Sequence, residues 1–215
     1  MMLSYLFTNP LLFVTYAIAL FTALTIHEFA HAWMADRLGD PTARLQGRLS
    51  LNPLVHIDNM GLLMMLILGF GWGKAVPFDP YNLKNPQKDT ALISLAGPAS
   101  NLLLAILLSL LLKSLNFFNL NLLTIIGSYL FVPMILYNVF LGTFNLMPIH
   151  PLDGFKIVAG MLPEEKMREW LELEKYGIIF LMLIIFPING RSMIDFIIRP
   201  ITSFILSFLI PGSLL

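Results

Sequence analysis

Three stretches of this chain, residues 10–35, 90–112 and 122–148, hold a single carboxylate among them, Glu28, and no lysine or arginine. Each is longer than the roughly 20 residues that an α-helix needs to cross a bilayer. Backbone polar groups in lipid must bond within their own segment, which leaves helices as the form for such runs. Two further apolar runs, about 176–188 and 193–210, flank Pro187-Ile188-Asn189-Gly190. Residues 60–72 are apolar but number only about 13, too few to span, and read as a re-entrant segment. Composition agrees: 57% of the 215 residues are hydrophobic and 12% charged, against about 25% charged in soluble domains. The expectation is an all-α polytopic membrane protein with about five spanning helices, forming one integral-membrane domain over 1–215. Within it, residues 10–160 form a core and residues 163–211 supply C-terminal helices.

The same numbers exclude several classes. Net charge is zero, so the basic footprint of a nucleic-acid binder is missing. Cysteine is absent, which removes disulfides and thiolate metal sites. No Lys or Arg precedes the first apolar run, which argues against a cleavable signal peptide.

The first long run opens at Pro10 and ends at Asp36-Arg37, with Gly39 beyond. The polar stretch 36–58 follows. Within it Arg44-Leu45-Gln46-Gly47-Arg48-Leu49-Ser50-Leu51 alternates polar and apolar, the period of a half-buried strand. A strand there could offer an edge to an extended partner chain. Residues 163–175 are charged and read as an amphipathic surface helix, and Asp195 and Arg199 are spaced to pair at i, i+4. Lys/Arg asymmetry sets orientation. With an external N-terminus and a non-crossing 60–72, Arg37, Arg44, Arg48, Lys74, Lys84, Lys88, Lys156, Lys166, Arg168 and Lys175 are cytoplasmic. Only Lys113 and Arg191 then lie outside. This is the pattern of a plasma-membrane protein.

Inside the first run stands His27-Glu28-Phe29-Ala30-His31. Histidines at i and i+4 share a helical face and can reach one metal ion. The glutamate, about 100° round the helix, can address a metal-bound water instead. Catalytic zinc takes three protein ligands and leaves a position open, so a third acid or imidazole must reach the same depth. Asp153 qualifies: Pro148 and Pro151 break the helix before it, Gly154 frees the backbone beside it, and helix parity returns it to the side of His31. Ionisable residues at membrane depth are functional candidates by default. Bound zinc lowers the pKa of its water to about 7 and polarises a carbonyl, and Glu28 would move the proton.

Together, His27-Glu28-Phe29-Ala30-His31, Gly97-Pro98 with Asn101, and Asn145 with Pro148 and Pro151-Leu152-Asp153-Gly154 resemble the site-2 protease family of intramembrane zinc metalloproteases. The form is the compact prokaryotic one without PDZ or CBS domain. The likeness extends to Arg37-Leu38-Gly39-Asp40-Pro41-Thr42, Leu51-Asn52-Pro53 and Gly71-Trp72-Gly73-Lys74, covering most of residues 20–160. It implies a three-helix catalytic core, with short membrane-associated β-strands between the first two core helices. It also implies one zinc per chain on His27, His31 and Asp153, and Asn145 holding the substrate or its oxyanion. Asn145 lies two turns before Asp153, and an amide donor to an oxyanion is worth about 3 kcal/mol in other enzymes. Asn101 reads either as a helix-packing residue or as part of the site. His150, where relatives usually carry proline, reads as facing the water interface, and His56 as part of a loop hydrogen-bond network.

The expected activity is zinc-dependent cleavage of transmembrane or membrane-proximal segments of protein substrates, with the active site toward the cytoplasm. The alternatives are a metal transporter or metal-binding scaffold, and a membrane metallopeptidase of another class.

Overall fold

The computed structural model describes residues 2–68, 71–186 and 192–210. In chain order the helices are α1 Met2–Thr8, α2 Pro10–Leu38, α3 Thr42–Leu45, α4 Asn59–Leu68, α5 Pro86–Phe117, α6 Asn121–Asn145, α7 Asp153–Met161, α8 Glu164–Leu171, α9 Gly177–Ile185 and α10 Met193–Leu209. At 1.5 Å per residue, α2, α5 and α6 are about 43, 48 and 37 Å long, more than the roughly 30 Å hydrocarbon core. Among the described residues these three are the helices long and apolar enough to cross a membrane. They pack against one another as the core of the molecule. Leu103, Leu107, Leu110, Leu122, Ile125 and Ile126 are exposed on α5 and α6, where a soluble bundle would carry charge. Lipid accepts such a surface.

The expected count of five spans is not supported. α9 is about 14 Å long and α10 about 26 Å, both short of the core thickness. Hydropathy counts apolar residues, whereas a span needs an unbroken helix. Phe186, which precedes a proline, is already extended, as the ring of a following Pro requires. α9 and α10 pack on the C-terminal end of α6: Leu181, Ile184 and Ile198 form one buried cluster with Phe144, Met147 and Leu152. α4, at about 15 Å, is too short to cross by itself; residues 69 and 70 of the 60–72 stretch lie outside the described residues. So do Pro187-Ile188-Asn189-Gly190 and the side chain of Asp195, and with them the Asp195–Arg199 pair. The charged stretch 163–175 is helical as expected, as α8 followed by a 3-10 turn Glu172–Tyr176.

The expected β-strands do not form among the described residues. Residues 42–45 form the short helix α3, and the isolated bridge in the described residues joins Ile57 to Gly73. Asp40 is the local cause. Its carboxylate accepts from the Thr42 backbone N–H at 3.1 Å and the Thr42 hydroxyl at 2.5 Å, which turns the chain into α3. The same group accepts from Asn82 Nδ2 at 2.8 Å and the Asp79 backbone N–H at 2.7 Å, tying the loop to the segment before α5. The buried member of the 44–51 alternation is a cation and not a leucine. Leu45 and Leu51 are 78% and 60% exposed, while Arg48 is 4% exposed. With no strand there, the edge for an extended partner chain over 44–51 falls away.

Candidate metal centre

Two α2 imidazoles and one carboxylate from the start of α7 meet at the inner face of the bundle. His27 Nε2 and His31 Nε2 stand 3.1 and 3.2 Å from Asp153 Oδ2, and the ligand atoms of all three residues fall within 4.8 Å of one another. Both histidines are buried. Their rings cross at 89° with centroids 4.6 Å apart, so the i, i+4 spacing turns two edges toward one point.

What sets those edges lies on α5. His27 Nδ1 donates to Asn101 Oδ1 at 2.6 Å, and His31 Nδ1 donates to the Ile93 carbonyl at 2.7 Å. Both partners are pure acceptors, so each Nδ1 carries the proton and each neutral ring turns an Nε2 lone pair inward. Asn101 cannot flip: its Nδ2 donates to the Ala23 carbonyl at 2.9 Å and to Asn138 Oδ1 at 2.8 Å. Asn138 is fixed in turn by donating from Nδ2 to the Met134 carbonyl at 2.8 Å. The chain of amides thus runs from α6 through α5 to α2 and ends on His27 Nδ1, the ring nitrogen opposite the inward-facing Nε2. Packing agrees with it. A Cβ on Gly97 would lie 2.5 Å from His31 Nε2 and 2.8 Å from His27 Cε1, so only glycine lets α5 lie against both rings.

Asp153 arrives because α6 ends at Asn145 and α7 starts beneath it. A Cβ on Gly154 would meet the Leu146 and Met147 carbonyls at 2.3 Å, which explains the glycine after the acid. Asp153 Oδ2 is buried without a hydrogen-bond donor. Two imidazole lone pairs and a carboxylate oxygen facing one another repel unless a cation lies between them. Ligands about 2.0–2.1 Å from a tetrahedral zinc stand about 3.3 Å apart, close to the spacings found. A two-nitrogen, one-oxygen donor set fits zinc.

Glu28 is buried on the neighbouring face of α2, and its Oε2 accepts from the Val76 backbone N–H at 3.1 Å. Asn145 is half-buried at the end of α6, and its Nδ2 donates to the Leu141 carbonyl at 3.0 Å. His150 lies with Nδ1 3.6 Å from Glu174 Oε1 and its ring edge-on to Phe155. It is outside the His27, His31 and Asp153 group. His56 is wholly buried in the loop network expected of it, with Ser50 and Arg48 as partners; Asp58 instead accepts from the Gly61 N–H at the start of α4.

Sequence reasoning did not find the Ile93 carbonyl, Asn138, Val76 or Arg48. Backbone groups carry no residue signal, and a polar residue in an apolar helix does not disclose its partner.

The comparisons agree with this site. The profile of peptidase family M50 matches residues 15–122 and 121–187. YwhC of Bacillus subtilis strain 168 is 38% identical over 186 residues, covering 84% of this chain and 85% of the relative. Rip2 of Mycolicibacterium smegmatis is 32% identical over 182 residues, covering 81% and 68%. The zinc metalloprotease MJ0392 of Methanocaldococcus jannaschii is 27% identical over 157 residues, covering 73% of this chain and 37% of its own. All three names describe zinc metalloproteases. No solved structure matches the chain at a significant level. With a profile matched over most of its length and a relative 38% identical over 84% of it, the chain belongs to peptidase family M50, the site-2 protease family of membrane zinc metalloproteases.

Proposed function

We propose that this chain is an intramembrane endopeptidase, with catalytic core 10–160, that cuts transmembrane or membrane-proximal segments of other proteins. His27, His31 and Asp153 hold its zinc. Zinc bound there supplies Lewis acidity, acidifying water and polarising the scissile carbonyl. Glu28 is the general base and then the general acid: Oε2 is steadied by the Val76 N–H, which leaves Oε1 to accept the proton and return it to the leaving amine. Asn145 faces the oxyanion. One amide hydrogen is engaged by the Leu141 carbonyl, and the second remains to donate.

The observation that carries this reading is the depth of the ligand trio. His27 and His31 lie 11 and 7 residues before the end of α2, or about 16 and 10 Å inside a spanning helix. A substrate must therefore approach within the membrane plane. Trp33, half-exposed with Arg37 stacked at 5.3 Å, has the character of an interfacial anchor, so water is near. The excess of Lys and Arg at this end supports a cytoplasmic-facing site in the plasma membrane. A transporter would stagger its ligands along a path, and these converge on one oxygen.

The test is Glu28→Gln in the purified chain. Zinc content should stay at wild type while cleavage of a reporter transmembrane segment falls by about 10²- to 10⁴-fold. Cleavage at the wild-type rate would refute the assignment.

A further inference from the structure

Arg48 is a cation in a place that should repel one. It is buried, and buried charge persists only when hydrogen-bonded and paired. Nη2 donates to the Lys74 carbonyl and, at 3.4 Å, to His56 Nδ1. His56 is held as that acceptor because its Nε2 donates to the Ser50 carbonyl at 2.7 Å. Nη1 donates to the Ala75 carbonyl at 3.1 Å.

That last carbonyl is one half of a peptide group whose other half is the Val76 N–H, and the N–H donates to Glu28 Oε2 at 3.1 Å. A single peptide plane therefore stands between a guanidinium and a carboxylate, its oxygen toward the cation and its hydrogen toward the anion. Each charge polarises the peptide in the sense that strengthens the opposite bond. Burial weakens the hold of Arg48 on its proton, and the charge of Glu28 works against that. The Lys74 contact and the Ile57–Gly73 bridge would be enough to staple the loop. The Ala75 contact reaches further, because it alone bears on Glu28.

We propose that Arg48 is a positioning residue for Glu28, acting through the Ala75–Val76 peptide to occupy one carboxylate oxygen and leave the other for proton transfer. This rests on the reading of Glu28 as the base. Val76→Pro deletes the N–H, and Arg48→Met deletes the charge at the far side of the same peptide.

The experiment measures kcat, KM and zinc per chain for the full chain in detergent, using a fluorogenic transmembrane-segment reporter. It compares wild type, R48M, V76P, R48M/V76P and E28Q. Both single variants should lose kcat by about 10- to 100-fold, the worth of a hydrogen bond to a charged group. KM should stay within about threefold, since the lost contact concerns the chemical step and not substrate binding. Zinc should be retained, and the double variant should fall no further than the weaker single, since both act through one peptide. Losses that multiply in the double variant, a fully active V76P, or an R48M that sheds zinc along with activity would each overturn the proposal. E28Q separates the two claims. If it is inactive while V76P is active, only the role of Arg48 falls; if E28Q is active, the base assignment falls and takes this inference with it.

Discussion

Gly97→Ala offers the sharpest probe of the ligand geometry, because the added methyl meets both rings at once. The new Cβ would lie 2.5 Å from His31 Cε1 and Nε2 and 2.8 Å from His27 Cε1. Carbon atoms rest at about 3.5–4.0 Å, so the rings must retreat by about 1 Å. Metal-ligand distances tolerate only about 0.2 Å. Without metal the rings can turn aside, at the expense of their bonds to Asn101 and Ile93. With metal they are tied at both nitrogens and cannot. The overpacking strain, about 1–3 kcal/mol, then falls mainly on the loaded state, weakening zinc binding by about 5- to 150-fold. The assay is competition against a chromophoric chelator at neutral pH in detergent, with thermal unfolding of the metal-free chain measured in parallel. Gly142→Ala is the control. Its Cβ would press on the Pro98 carbonyl at 3.1 Å and Leu102 at 3.2 Å, straining the contact of α6 with α5 rather than that of α5 with the two rings, so it should lower stability and spare zinc. A Gly97→Ala chain that binds zinc within about twofold of wild type, or a Gly142→Ala chain that loses zinc equally, would refute the argument.

Two further outcomes test the surroundings. Asn101→Leu removes the acceptor that fixes the His27 tautomer, and zinc affinity measured by the same competition should fall about 10- to 100-fold. Asp40 is held below the ordinary carboxylate pKa: burial would raise it, but hydrogen bonds from Thr42, Asn82 and Asp79 outweigh burial. A group whose folded pKa is depressed stabilises the fold above its unfolded value of about 4 and loses that contribution as pH falls through the lower folded value. Asp40→Asn should therefore destabilise the chain by about 2–3 kcal/mol at pH 7, with the difference from wild type shrinking in melts taken below about pH 4.

The grouping of His27, His31 and Asp153 could be read from the sequence because its two constraints are simple. Helical spacing joins His27 to His31, and counting crossings brings Asp153 back to their side. Element lengths were harder. The alternation at 44–51 gave a period without saying which set faces inward, and the buried member is Arg48, whose partners lie 26 and 27 residues away at Lys74 and Ala75. Asp40, drawing donors from both Thr42 and the 79–82 turn, closes that loop without a sheet. Likewise, the apolar content of 176–188 hid how short a helix it forms. Asn101 stood out as a polar residue in an apolar run, but whether it served packing or the metal depended on the position of His27 across the bundle, 74 residues away.

The two imidazoles are oriented by unlike means, and this gives them different evolutionary exposure. His31 leans on a main-chain oxygen at Ile93, which any residue at that position supplies, so substitution there leaves the anchor in place. His27 leans on a side chain, and a single codon change at Asn101 removes its support. A change at position 101 would therefore loosen one imidazole while the other keeps its anchor.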